Sequence, residues 1–228
     1  MTAAVIAGLV VSGATVSAAG DPYTPGTTGY DVSYPQCSSN PPTGTFGIVG
    51  VNGGRPFTFN GCLTAEYSAA PSSSLYINTA YSGAYRKNIT AGCSSAPATI
   101  TGSANRQAWA IGCSEADTSL LQTSGLSTPL MWWLDVETGN SWSSSNQALN
   151  QFAIQGAVDR LAQTNLPVGV YSTASMWATI TGAGFTPNTV LGDWVAGASC
   201  TTAKPFMPGT TVWLTQSTSG GVDSDQAC

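Results

Sequence analysis

Asp135 and Glu137 are separated by a single residue in the run Met131-Trp132-Trp133-Leu134-Asp135-Val136-Glu137. The run reads as a β-strand, in which alternate side chains share a face, so the two acids point the same way with their carboxyl groups about 5–7 Å apart. Like charges at that separation repel, and one of the pair then keeps its proton into neutral pH and can donate it. A proton donor beside a second carboxyl group is what acid-catalysed hydrolysis of a glycosidic bond requires. Two further segments carry acids that could join them: Asp31 in Gly29-Tyr30-Asp31-Val32-Ser33, and Asp223 and Asp225 in Gly221-Val222-Asp223-Ser224-Asp225, after the last expected strand. The chain has no histidine, which excludes a Ser-His-Asp triad, a histidine-activated cysteine and a zinc site built on imidazole. The expected chemistry runs on side chains such as carboxylates, with no metal and no other cofactor.

Charge is scarce elsewhere, which gives each acid more weight. Among 228 residues there are 6 Lys+Arg and 11 Asp+Glu, so 7% of the chain is charged against roughly 25% in ordinary globular proteins. The net charge of -5 leaves no basic patch for phosphate backbones or anionic lipid, and nucleic acid is excluded as a partner. The hydrophobic fraction of 42% is enough to build a core.

To bring acids from both ends and the middle of the chain together, the fold must gather distant strands. Short runs rich in Val, Ile, Trp and Tyr occur at Gly29–Ser33, Phe46–Val51, Leu75–Asn78, Trp109–Gly112, Met131–Glu137, Val168–Ser172, Trp194–Gly197 and Val212–Gln216, and each reads as a strand. Helical spacing is clearest over Ser144–Gln163, with serines available as N-caps, and weaker over Cys62–Ala70, Glu115–Gln122 and Thr173–Thr181. This alternation predicts an α/β fold, a single TIM-like barrel. The Gly- and Ser-rich connections Asn88–Ser103 and Ser199–Gly209 offer no convincing helix, so the expected form is an irregular (β/α)8 barrel with some helices replaced by loops. Acids at the C-terminal end of a barrel strand would sit at the mouth, where such folds build their sites.

Residues 1–19 read as a secretory leader, with an apolar run at Ala4–Val11 and small residues at Val16-Ser17-Ala18-Ala19. One barrel domain is expected over residues 27–228. The six cysteines, Cys37, Cys62, Cys93, Cys113, Cys200 and Cys228, contain no C-x-x-C pair, and behind a leader they read as a disulfide framework. Of the pairings they allow, nearest neighbours are favoured, because the intervening segments are loop-rich and of moderate length. The expectation is a secreted monomer with no membrane association once the leader is removed.

In the order of its landmarks the sequence resembles the glycoside hydrolase family 25 lysozymes, secreted N-acetylmuramidases. The resemblance runs from Gly29 to about Asp225. It is carried by Gly29-Tyr30-Asp31-Val32-Ser33 with Gln36, Phe46-Gly47-Ile48-Val49, Leu134-Asp135-Val136-Glu137, Pro167-Val168-Gly169-Val170-Tyr171-Ser172, Trp194-Val195-Ala196, Trp213 to Gln216, and Gly221-Val222-Asp223. It implies that Glu137 is the general acid and that Asp135 orients a substrate N-acetyl group that itself attacks the anomeric carbon. It also implies that Asp31 and Asp223 are the further acids of the floor, with Asp225 an alternative to Asp223, and that Trp133, Tyr171, Trp194 and Trp213 are candidates for stacking on sugar rings. The substrate it implies is peptidoglycan or another N-acetylated polysaccharide. Two departures mark a divergent branch: Tyr76-Ile77-Asn78-Thr79-Ala80-Tyr81 lacks the family's histidine, and the closing motif reads Thr215-Gln216-Ser217. The competing reading is a catalytically silent barrel that binds cell-wall glycan or a protein partner. A chitinase-like barrel would want a longer acidic run before Asp135, where Met131 and Trp133 stand instead.

Overall fold

The computed structural model describes residues 20–39, 42–219 and 222–228; the leader expected over residues 1–19 lies outside the described residues. Eight strands close into a barrel in sequence order. They are β1 (Thr28–Val32), β2 (Phe46–Gly50), β3 (Ser74–Asn78), β4 (Trp132–Asp135), β5 (Val168–Ser172), β6 (Gly192–Ala196), β7 (Thr211–Ser219) and β8 (Val222–Ala227). Among the described residues four α-helices lie between them: α1 (Leu63–Ala69), α2 (Ser103–Gln122), α3 (Gln147–Ala162) and α4 (Ala174–Thr181). Neighbouring strands from β1 to β7 are parallel, whereas β8 runs antiparallel to both β7 and β1 and closes the ring.

Strand alternation divides the core into two layers. Outward residues such as Val49, Leu75, Ile77, Trp132, Leu134, Val136 and Val170 pack on Ala157, Val158 and Leu161 of α3 and on their neighbours. Inward residues Phe46, Ile48, Met131, Trp133, Trp194, Trp213, Leu214 and Ala227 fill the barrel. The interior holds so many large rings because glycines stand beside them. Gly29 lies opposite Phe46 and Gly169 opposite Trp133 in the strand pairing, and a methyl group at either position would overlap the neighbouring ring. Alternating large and small residues is how a small barrel fills its lumen.

Below β1 the chain is already part of this core, so the folded body begins before residue 27. Tyr23 is buried among the inward rings, its hydroxyl lies 2.7 Å from Ser74 Oγ, and it accepts a hydrogen bond from Trp133 Nε1 at 2.9 Å.

The structure departs from the sequence expectations at three points. Trp109–Gly112 is not a strand but the middle of α2. Its apolar run faces α3, where Gly112 lies against the Ala153 carbonyl and Gly156 against the Trp109 carbonyl so closely that neither could carry a Cβ. The eighth strand is instead Val222–Ala227. The expected helices at Cys62–Ala70, Ser144–Gln163 and Thr173–Thr181 form within a few residues of those bounds, and Glu115–Gln122 is the second half of α2. Asn146, rather than a serine, caps α3 by accepting from the Ala148 N–H at 3.1 Å. No helix intervenes between β6 and β7, as the Ser199–Gly209 loop implied.

Three disulfides join Cys37 to Cys62, Cys93 to Cys113 and Cys200 to Cys228. The last ties the end of β8 to the β6–β7 loop. Among the described residues no helix is long and apolar enough to cross a membrane.

Candidate active site

Parallel strands bring their C-terminal ends to one rim, and around it lies a hollow of about 400 Å³. The pairing register sets its layers: Asn78 of β3 stands opposite Asp135 of β4, Asp135 opposite Tyr171 of β5, and Tyr171 opposite Trp194 of β6. Asp31 of β1, Gln216 and Thr218 of β7, Asp223 of β8 and Glu137 just beyond β4 complete the acidic and polar wall. The acids from the three separated segments therefore meet in one mouth.

Depth separates the acids. Asp135 is buried, with 6% of its surface exposed; Asn78 Nδ2 donates to its Oδ2, while its Oδ1 has no partner. Glu137 is half-buried at the rim, and its backbone carbonyl accepts a hydrogen bond from Trp142 Nε1 at 2.8 Å. Asp223 is also half-buried and accepts from Thr218 Oγ1 at 2.6 Å. Asp225, two residues along the same inward face of β8, is not an equivalent of Asp223. It lies beneath the mouth, fully buried, and accepts from Trp194 Nε1 at 2.9 Å.

No Lys or Arg is among the described residues that line the mouth, so nothing offsets the crowding of carboxyl groups, and their proton affinities rise. Burial pushes Asp135 well above the usual carboxylate range, with the charges of Glu137 and Asp31 adding to it and the Asn78 bond opposing it. Burial and then the Asp223 charge raise Glu137. Asp31 is pushed up to about 7 by burial first and by Asp223 next, against the stabilising bond from Gln216. A half-buried carboxyl that keeps its proton beside a second, partnerless carboxyl oxygen can protonate a leaving group while the second group holds a substrate donor.

Of the four aromatic residues expected to stack on sugars, Tyr171 and Trp194 line the mouth. Their rings pack edge-on at 4.6 Å. Trp133 and Trp213 do not line it. They lie deeper in the barrel, their indole N–H groups engaged by Tyr23 and Thr211. Trp133 shares the inward face with Asp135 but sits one layer down. Trp213 is the extra residue where the β6–β7 register shifts, Asp193 facing Val212 and Trp194 facing Leu214.

Ser33, Tyr34, Tyr76, Asn78, Gln216 and Thr218 also line the mouth, and the sequence reading assigned no site role to them. Asn78 and Gln216 carried a usable signal, because each is a polar residue at the C-terminal end of an expected strand. Tyr34 had none, being a loop residue after β1. Its ring is 48% exposed and lies against Gly54, whose positive φ of 75° and missing Cβ leave room for it.

The fold and this acidic mouth define a lysozyme-like barrel. The family model described as Lysozyme-like protein 1 matches residues 70–204, more than half of the chain, and the chain belongs to that family. The match includes Asp135 and Glu137 but stops short of Asp31 and Asp223. Among solved structures, the family GH25 lysozyme from Aspergillus fumigatus is similar at 16% identity and a TM-score of 0.60, over 89% of this chain and 93% of that one. The muramidase from Trichobolus zukalii is similar at 18% identity and a TM-score of 0.57, over 88% and 93%. The bacterial lysozyme from Streptomyces coelicolor is similar at 18% identity and a TM-score of 0.54, over 90% and 93%. These likenesses show the fold, which is that of these lysozyme and muramidase structures. No curated protein matches the chain.

Proposed function

We propose that the chain is a secreted, monomeric glycoside hydrolase that cleaves β-1,4 bonds of peptidoglycan or a related N-acetylated polysaccharide. The observation that carries this reading is the pairing of half-buried Glu137, whose hold on its proton is raised, with the unpartnered Oδ1 of buried Asp135. Glu137 donates its proton to the glycosidic oxygen as the bond to the anomeric carbon breaks. The carbonyl oxygen of the substrate's own N-acetyl group attacks that carbon, and its N–H donates to Asp135 Oδ1. A donor arriving at Oδ1 favours the Asp135 carboxylate, and that charge in turn strengthens the hold of Glu137 on its proton until the leaving group takes it. Water then opens the cyclic intermediate, giving up a proton to the Glu137 carboxylate and restoring the starting state. Asp31 and Asp223 keep the mouth negative and offer acceptors to sugar hydroxyls, and Tyr171 and Trp194 form the apolar wall. The names of the similar structures, lysozymes and muramidases, support this substrate class.

Digestion of defined peptidoglycan followed by analysis of the new reducing ends tests the reading. Reducing muramic acid ends are expected; reducing glucosamine ends would move the assignment to the other bond. Binding without any cleavage of peptidoglycan or chitin would support the silent barrel.

A further inference from the structure

At the floor of the mouth the carboxyl groups of Asp31 and Asp225 face each other, and no Lys or Arg is among the described residues that line it. Asp225 of β8 is fully buried, and the strand pairing places it opposite Gly29, two residues from Asp31, within diagonal reach across the ladder. Its Oδ1 accepts from Trp194 Nε1 at 2.9 Å. Its Oδ2 is buried with no hydrogen-bond partner, and its carboxyl group lies within hydrogen-bonding reach of that of Asp31. Asp31 Oδ2 accepts from Gln216 Nε2 at 2.8 Å, and Gln216 Oε1 accepts from the Tyr171 hydroxyl at 2.7 Å.

Two ionised carboxylates cannot rest in contact inside a low-dielectric core, whereas an acid donating to a carboxylate satisfies both. We propose that Asp225 is a positioning residue that carries a proton shared with Asp31, and that this proton holds Asp31, Gln216 and Tyr171 in the arrangement that forms one wall of the mouth. With Asp225 donating, Asp31 is the acceptor for Gln216. The Gln216 amide then has one orientation, nitrogen towards Asp31 and oxygen towards Tyr171, and the Tyr171 hydroxyl has its hydrogen directed away from the substrate. The hydroxyl lone pairs, and not its hydrogen, face the hollow. Loss of the shared proton leaves two charges in contact, and their repulsion drives the Asp31 carboxylate away from Asp225 and out of that arrangement.

The other titratable groups around the pair are consistent with this. The charges of Asp223 on β8 and Glu137 just beyond β4 oppose ionisation of Asp31, those of Asp31 and Asp223 oppose ionisation of Asp225, Asp135 on β4 is itself raised by burial and by Glu137 and Asp31, and Tyr23, Tyr76 and Tyr171 hold their protons at neutral pH. The neighbours on β6 and β7, Trp194 and Gln216, are neutral donors.

Asp225→Asn reproduces every bond of the protonated acid, its oxygen accepting from Trp194 and its nitrogen donating to Asp31, but has no proton to lose. The thermal midpoints of wild type and Asp225→Asn are therefore compared from pH 5 to pH 8, a measurement that does not depend on the hydrolase reading. The difference is expected to grow by several degrees in favour of the variant as pH rises, because the wild-type fold must hold a proton that the unfolded chain has already released. Asp31→Asn, which also leaves a single ionisable group, is expected to flatten the profile in the same way. A second comparison rests on the hydrolase reading: Asp225→Leu, which has no bond to give, is expected to lower kcat by at least about tenfold more than Asp225→Asn. A midpoint difference that is constant with pH, or an Asp225→Asn protein that fails to fold, overturns the proposal. Equal kcat losses in the two variants remove the positioning role.

Discussion

Asn78 and Asp135 face each other across the β3–β4 pairing, and the amide of the first binds Oδ2 of the second while Oδ1 remains buried and unpartnered. The bond fixes the carboxyl plane and leaves the other oxygen unpartnered, the one that the proposed mechanism gives to the substrate N–H. Asp135→Asn keeps the size and one acceptor but cannot become an anion, and the rate of glycan cleavage is expected to fall by about 10²–10⁴. Steady-state kinetics with a folded variant, verified by circular dichroism, check this. A rate within threefold of wild type would remove Asp135 from the chemistry.

Tyr34 offers an exposed ring at the rim, supported from behind by Gly54. An exposed ring beside an acidic cleft suits stacking on a sugar outside the cleaved bond, and aromatic stacking contributes about 0.5–1.5 kcal/mol. Tyr34→Ala is expected to raise KM by about three- to tenfold and leave kcat within about twofold, while Tyr34→Phe changes neither. A change confined to kcat would contradict a binding role.

Stability should fall as pH rises. Asp31 is raised to about 7 by burial and the Asp223 charge, and Asp193 to about 6 by burial, against bonds from Thr210 and the N–H groups of Phe206 and Met207. In each case the folded value exceeds the unfolded one, so between about pH 4 and pH 7 the native state holds protons that the unfolded chain has lost. Their contribution is fully present below pH 4 and is lost through the folded values, at about 1.4 kcal/mol per pH unit for each proton held. Calorimetric midpoints from pH 4 to pH 8 should decline; a midpoint that rises over this range would contradict the burial of these acids.

The Cys200–Cys228 bond anchors the strand that carries Asp223 and Asp225, whereas Cys93–Cys113 joins a short turn to α2, away from the mouth. Replacing either pair by serines is expected to cost about 2–4 kcal/mol in urea unfolding. Only the first replacement should also lower kcat, since it frees the end of β8. Equal effects of the two replacements on kcat would show that β8 is held by its neighbours alone.

The parts of the fold legible in the sequence are those where apolar period and strand geometry coincide. Val168–Ser172 and Met131–Glu137 carry outward Val, Leu and Trp residues under helices, and their alternation revealed both the strands and the inward direction of Asp135 and Glu137. The eighth strand was hidden because its inward side chains are Asp223, Asp225 and the small Ala227, while Ser224 and Gln226 face solvent with no helix above them. Trp109–Gly112 looked like a strand because a helix buried against another through glycines shows no polar face over four residues. The family resemblance makes Trp133 and Trp213 stacking candidates, but neither a shared motif nor strand alternation reports how deep along the barrel axis a residue lies. Tyr34, in a loop, is visible as a site residue only once the closed ring places that loop at the mouth, whereas Asn78 and Gln216 already stand at the ends of expected strands.

In the proposed mechanism Glu137 supplies the proton that breaks the glycosidic bond. Wild type and Glu137→Gln, matched for thermal midpoint and disulfide content, are compared for turbidity clearing of purified cell walls. The wild-type protein is expected to clear the suspension and release reducing ends, and the variant, unchanged in fold, to do neither. Clearing by Glu137→Gln at the wild-type rate would contradict the account.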